Sequence, residues 1–103
     1  MTKPSSDLQK VAQFAPKLAQ LSEDVLFGDV WQRPALSPRE RSIATVAALT
    51  ALYRPEQLPG HLQKAITNGV TKDELGELFT HLAFYAGWPA AASAVNALAA
   101  LSE

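Results

Sequence analysis

Cysteine is absent from all 103 residues. That excludes disulfides, thiolate metal sites and any thiol redox chemistry carried by the chain itself. Long apolar runs are missing as well. The longest strongly apolar stretch, Val46 to Tyr53, is interrupted by Thr50 and falls far short of the ~20 residues that span a bilayer. No block of like charge occurs. Nine basic and ten acidic residues leave a formal charge of -1, so neither nucleic acid nor a membrane surface is expected as a partner. The opening Met-Thr-Lys-Pro-Ser-Ser has no apolar signal core, and a soluble, cytoplasmic protein is the expectation. Apolar alternation of period 2 is missing too, and Asn68-Gly69 stands between helical stretches rather than strand-like ones.

What is present is helical grammar on a chain whose 48% apolar content sits at the globular norm. A single domain over residues 1–103 is expected, with residues 1–6 as a frayed tail. Asp7 to Phe14 reads as a short helix with Leu8, Val11, Ala12 and Ala15 on one side. Pro16 should break or restart it. Lys17 to Phe27 reads as a second run, stopped by Gly28, and Trp31 anchors the loop from Asp29 to Leu36. Ser37-Pro38-Arg39-Glu40 combines a serine cap, a proline in the first helical position and a glutamate three residues after the cap. Pro59 opens a helix to about Thr67, with Leu58, Leu62, Ala65 and Ile66 inward. Gly69 closes it. Thr71 and Glu74 have the spacing of a capping box for the next helix, whose Leu75, Leu78, Phe79, Leu82 and Ala86 share one face. Gly87 ends that helix and Pro89 opens the last, alanine-rich one. The class is all-α.

From Ile43 to Tyr53 the helix is apolar on nearly every face, with Thr45 and Thr50 the polar exceptions. Such a helix must be buried all round. A domain this small has difficulty surrounding one helix completely, so a subunit interface is expected to cover part of it.

Chemistry has two places to reside. Glu77, His81 and Tyr85 stand four residues apart on one helix, and His61 stands on the helix before. Each also has a bland reading: His61 as a surface or interface histidine bonded to a carbonyl, and Glu77 with His81 as a solvated pair at helical spacing. Trp31, Trp88 and Tyr85 read equally as packing anchors. His61, His81 and Glu77 show none of the usual zinc spacings, so no metal is expected.

Five segments occur in order over roughly residues 16 to 100: Phe27-Gly-Asp-Val-Trp-Gln-Arg-Pro34, Arg41-Ser-Ile-Ala-Thr-Val46, Leu58-Pro-Gly-His61, Asn68-Gly-Val-Thr71 and Tyr85-Ala-Gly-Trp-Pro-Ala-Ala91. Together they resemble the carboxymuconolactone decarboxylase family. The resemblance implies an alkylhydroperoxidase-D-like fold, a compact bundle of five or six helices. It also implies self-association as a dimer, trimer or hexamer. The family's peroxidase branch uses a Cys-x-x-Cys pair shortly before a histidine matching His61. Those two positions fall near Arg54 and Gln57 here, so thiol peroxidase activity is excluded. The decarboxylase branch needs no thiol and no cofactor, and acts on a small lactone dicarboxylate from aromatic-compound breakdown.

Loss of carbon dioxide from such a lactone sends electrons through the ring's double bond into the lactone carbonyl. A site must stabilise that oxyanion, hold the remaining carboxylate and deliver a proton to carbon. The resemblance assigns His61 as acid or oxyanion donor, and Arg41 and Arg33 as carboxylate holders. Tyr85 and Trp88 would wall the pocket, and His81 with Glu77 is a candidate dyad. In the family's decarboxylases other residues stand where this chain has His81, Ala86 and Ala92, so the resemblance leaves the substrate open. The implied function is a cofactor-free decarboxylase or lyase on a small lactone or organic acid. The alternative is a non-catalytic oligomeric module that binds a metabolite or supports a partner.

Overall fold

The computed structural model describes residues 6–101 of the chain. Residues 1–5 of the expected tail lie outside the described residues, as does the side chain of Leu8. Among the described residues there are six α-helices and no strand, in keeping with the all-α expectation. The chain divides into two compact units, Met1–Ala35 and Leu36–Glu103. No helix among the described residues is long and apolar enough to cross a membrane.

In the first unit α1 covers Ser6–Phe14 and α2 covers Pro16–Leu21. Between them Ala15 sits at φ -141° and ψ 67°, outside the helical region that a residue before proline avoids. The single run expected from Lys17 to Phe27 changes pitch midway. Ser22–Phe27 is wound as a π-helix. Gly28 closes this wide turn, and a Cβ there would stand 2.7 Å from the Glu23 carbonyl oxygen and 2.8 Å from that of Asp24. Its own φ is -81°, so it is room, not left-handed freedom, that requires glycine. A 3₁₀ turn at Val30–Gln32 follows. Trp31 is buried, with its ring stacked 6.0 Å from that of Phe27. It is the anchor the sequence leads one to expect.

The second unit holds α3 (Pro38–Ala51), α4 (Leu58–Thr67), α5 (Lys72–Ala86) and α6 (Trp88–Ala100). Helix α3 touches the other three, and α6 also packs along α5 and against α4. The first three of these helices start and stop on local chemistry. Ser37 Oγ accepts from the Glu40 amide at 3.0 Å while the Ser37 amide donates to Glu40 Oε1 at 2.8 Å. Thr71 and Glu74 repeat this box, at 3.0 and 2.9 Å. Helix α4 ends in a Schellman motif: the Gly69 amide donates to Ile66 O at 3.0 Å and the Val70 amide to Ala65 O at 2.9 Å. Gly69 supplies the positive φ of 98° this needs, and Val70 follows it into the core.

That core is built around Phe79, Leu75, Leu62, Val46 and Val70, all essentially inaccessible. Burying a side chain such as Phe79 contributes about 1.5–3 kcal/mol. Within one copy α3 is covered on one side only, in keeping with a domain too small to surround it. Its buried stripe within the chain is Ser42, Val46 and Thr50, while Ala44, Ala48 and Ala51 stay exposed. Two of those three buried side chains are hydroxyls, and both are bonded. Thr50 donates to the Val46 carbonyl at 2.8 Å, and Ser42 accepts from the Asn68 side-chain amide at 2.9 Å. The second bond ties α3 to the end of α4. Helix α3 also stops at Ala51, two residues before Tyr53, which takes a left-handed φ of 55°.

Candidate active site

Helix α5 is the frame of the candidate site. Its capping box fixes where the first turn begins, and burial of Leu75 and Phe79 fixes which way the helix faces. Residues at spacing four then line up on one flank. Glu77 and His81 lie together in a groove of about 400 Å³. Ile43 of α3, Val70 of the connector, and Glu74 and Leu78 of α5 complete its lining. Tyr85 continues the row, with its ring 4.9 Å from that of His81 and tilted by 37°. Helical spacing thus sets Glu77, His81 and Tyr85 along one flank of α5, with Tyr85 beyond the groove lining.

The remaining candidates stand elsewhere within the chain. His61 is half-buried on α4, beside the buried Leu58, Leu62 and Ala65, and does not line the groove. Burial, and secondarily the charge of Lys64, hold its imidazole below the ordinary value of 6.5. It is therefore a neutral imidazole near neutral pH, able to accept a proton or to donate a hydrogen bond. Arg41 is half-buried on α3. Two residues along a helix turn the chain by roughly 200°, so Arg41 stands on the opposite side of α3 from Ile43 and the groove. Trp88, 71% exposed, lines a second groove of about 260 Å³ on the other flank of α5, with Thr80, Ala83 and Val95. Tyr85, 79% exposed, does not share that groove. Arg33 belongs to the first unit, at the end of the 3₁₀ turn. Among the described residues no cluster of three or more His, Asp or Glu is arranged to hold a metal ion.

One residue at the groove was not singled out from the sequence. Arg39 of α3 forms an ion pair with Glu74, and its Nε donates to the Gly69 carbonyl at 3.4 Å. The Glu74 carboxyl is held below the ordinary carboxylate range, first by the Thr71 amide and then by Arg39. In sequence both residues read as parts of helix starts, which hid the contact 35 residues apart.

Comparison with known proteins follows the same lines. Residues 16–100 match the profile described as the Carboxymuconolactone decarboxylase family. The chain belongs to the carboxymuconolactone decarboxylase family. Within it, the chain is similar to 4-carboxymuconolactone decarboxylase of Acinetobacter baylyi, 49% identical over 70 residues, which cover 68% of this chain and 52% of that protein. It is also similar to a nitrosuccinic acid decarboxylase of Metarhizium robertsii, 33% identical over 88 residues, or 85% of this chain and 62% of that one. An uncharacterised protein of Paracoccus denitrificans is 27% identical over 93 residues. The chain thus spans about half to three-fifths of the length of the first two relatives. The sequence has no cysteine at any position.

Proposed function

We propose that this chain carries a cofactor-free decarboxylase activity on a small lactone or organic acid, with the groove between α3 and α5 as its site. The observation that carries the reading is the placement of Glu77 and His81 in one groove of a chain that is 49% identical over 70 residues to a 4-carboxymuconolactone decarboxylase. The groove's walls, Ile43, Val70 and Leu78, are apolar, while Glu77 and His81 are exposed, so shielding the reaction from water falls to a neighbouring copy. Carbon dioxide leaves, its bonding electrons pass into a conjugated carbonyl, and one proton is returned to carbon. In this reading His81 delivers that proton, with Glu77 one turn away on the same flank of α5. The substrate's own carbonyl takes the electrons, so the step requires no cofactor.

Self-association is part of the proposal, as a dimer, trimer or hexamer. It is supported by Phe84, Tyr85 and Trp88, which are 71–80% exposed around the α5–α6 corner, more apolar surface than an isolated small domain carries comfortably in one place. In the assembly His61, as acid or oxyanion donor, and Arg41 and Arg33, as carboxylate holders, approach the groove from a neighbouring copy. Tyr85, beside His81, walls it on one side, and Trp88, which lies on the other flank of α5 within one copy, also comes from a neighbouring copy.

The test is direct. Purified protein should consume carboxymuconolactone with release of carbon dioxide, and His81→Ala and His61→Ala should each lower kcat by about 10²–10⁴-fold. Mass in solution reports the assembly. Undiminished turnover in both variants rejects the site. Failure of the wild type on carboxymuconolactone and on a panel of lactones and β-keto acids rejects the activity.

A further inference from the structure

We infer that Arg39 is the carboxylate anchor of the groove between α3 and α5, and that Glu74 holds it in position. The inference rests on the reading of that groove as the site of an acid substrate. Its charged lining is acidic, Glu74 and Glu77, and two carboxylates alone repel an incoming acid. A cation has to stand beside them. Arg39 is one turn before Ile43 on α3, hence on the face that lines the groove. Its guanidinium is tied to Glu74 on one side and to the Gly69 carbonyl, next to Val70, on the other. Both Glu74 and Val70 are groove residues. Arg39 therefore stands at the end of the groove, braced by the two segments that bound it.

The bracing has a definite logic. Both oxygens of Glu74 are committed: Oε1 accepts from the Thr71 amide at 2.9 Å, and Oε2 pairs with Arg39. Glu74 is thereby a fixed counter-ion whose charge Arg39 offsets, and Glu77 is left as the acidic group beside His81. A guanidinium has five N–H donors in a rigid fork. The contacts to Gly69 and Glu74 engage two of its nitrogens and leave donors for a bidentate grip on a carboxylate. The side chains of Arg39 and Glu74 are 40% and 45% exposed, so a small ligand reaches them without rearrangement. A substrate that keeps one carboxylate on this anchor places its other carboxyl towards Glu77 and His81, and the class selected is a short dicarboxylate.

Succinate titrated into the purified protein, followed by calorimetry, tests this with Arg39→Gln, Arg39→Lys and Glu74→Gln, each checked for native helicity and melting. Wild type should bind succinate. Arg39→Gln should weaken binding tenfold or more, and Arg39→Lys, which keeps the charge but loses the fork, should fall between. Glu74→Gln keeps an acceptor for the Thr71 amide but loosens the anchor, and should weaken binding by a smaller factor. No succinate binding by wild type, or unchanged binding by a folded Arg39→Gln, overturns the inference. The two readings fail separately. Arg39-dependent binding without turnover leaves the anchor standing and removes the decarboxylase. Turnover of carboxymuconolactone with the same KM in wild type and Arg39→Gln does the reverse; a true anchor raises KM at least tenfold with a smaller change in kcat.

Discussion

Within residues 36–101 the side chains of Phe79, Leu75 and Leu62 are wholly buried, whereas within residues 9–35 Trp31 is the buried hydrophobe and Phe14 is 79% exposed. Leu18, Leu21, Val25 and Leu26 share that exposure, at 42–54%. Both stretches carry apolar residues at helical spacing. The difference lies in what each helix finds opposite it. Helix α3 is met by three others, so its neighbours' apolar faces close on a common core. Two short helices and a wide π turn supply no such facing layer of their own. Apolar periodicity thus specifies a helix and a face, and the burial of that face depends on a second element. End chemistry differs in the same sense. Helices α3 and α5 begin with reciprocal capping boxes, while α2 is preceded by Ala15, which offers no side-chain acceptor.

This contrast can be broken by mutation. Phe79→Ala empties the centre of the second unit and should cost about 3–5 kcal/mol in denaturant unfolding. Leu18→Ala, in the first unit, should stay within about 0.5 kcal/mol. A Leu18→Ala cost that approaches the other, and that grows on dilution, would mean another copy covers this face. Gly28→Ala forces a Cβ against two carbonyl oxygens and should cost about 1–3 kcal/mol. In a Trp88→Phe background the loss would be read from the fluorescence of Trp31; an unchanged signal would show that the π turn tolerates a methyl group. Thr71→Ala removes one half of the α5 capping box and should cost about 1 kcal/mol, measured as a lowered melting temperature.

The smallest effect is one of pH. His61 is held below 6.5 by burial first and Lys64 second, so the folded chain takes up that proton less readily than the unfolded one. Its contribution to stability is complete above pH 6.5 and is lost as pH falls through the lowered folded value. His61→Gln should flatten this part of the acid limb and leave stability near pH 8 almost unchanged. A limb that persists assigns the effect to other groups.

Much of the second unit was legible in the sequence because its signals are local. Ser37 with Glu40, Thr71 with Glu74, and Gly69 followed by Val70 each act within a few residues, and each appears as read. Glu77, His81 and Tyr85 fall on one flank for the same reason, since one helix carries all three. What was not legible depended on contacts between distant segments or on uncommon backbone. Tyr53 ends α3 in a left-handed conformation usually left to glycine, so the helix was expected to run two residues too far. The π turn before Gly28 has the same apolar spacing as an α-helix would. Arg39 meets Glu74 only because α3 and α5 pack side by side, and no spacing rule reports that. His61 and Arg41 share motifs with the family but stand on helices and faces that one copy of the chain does not bring to the groove.

Gly87, at φ 103° and ψ 147°, is the only residue between α5 and α6. A corner this short has no slack. An extra residue there would shift the register in which α6 meets α5 and disturb the burial of Ala91 and Ala94, whereas the six residues separating α3 from α4 can absorb a change in length. Natural variation in chain length within unit 2 should therefore concentrate between Ala51 and Leu58 and spare the α5–α6 bend.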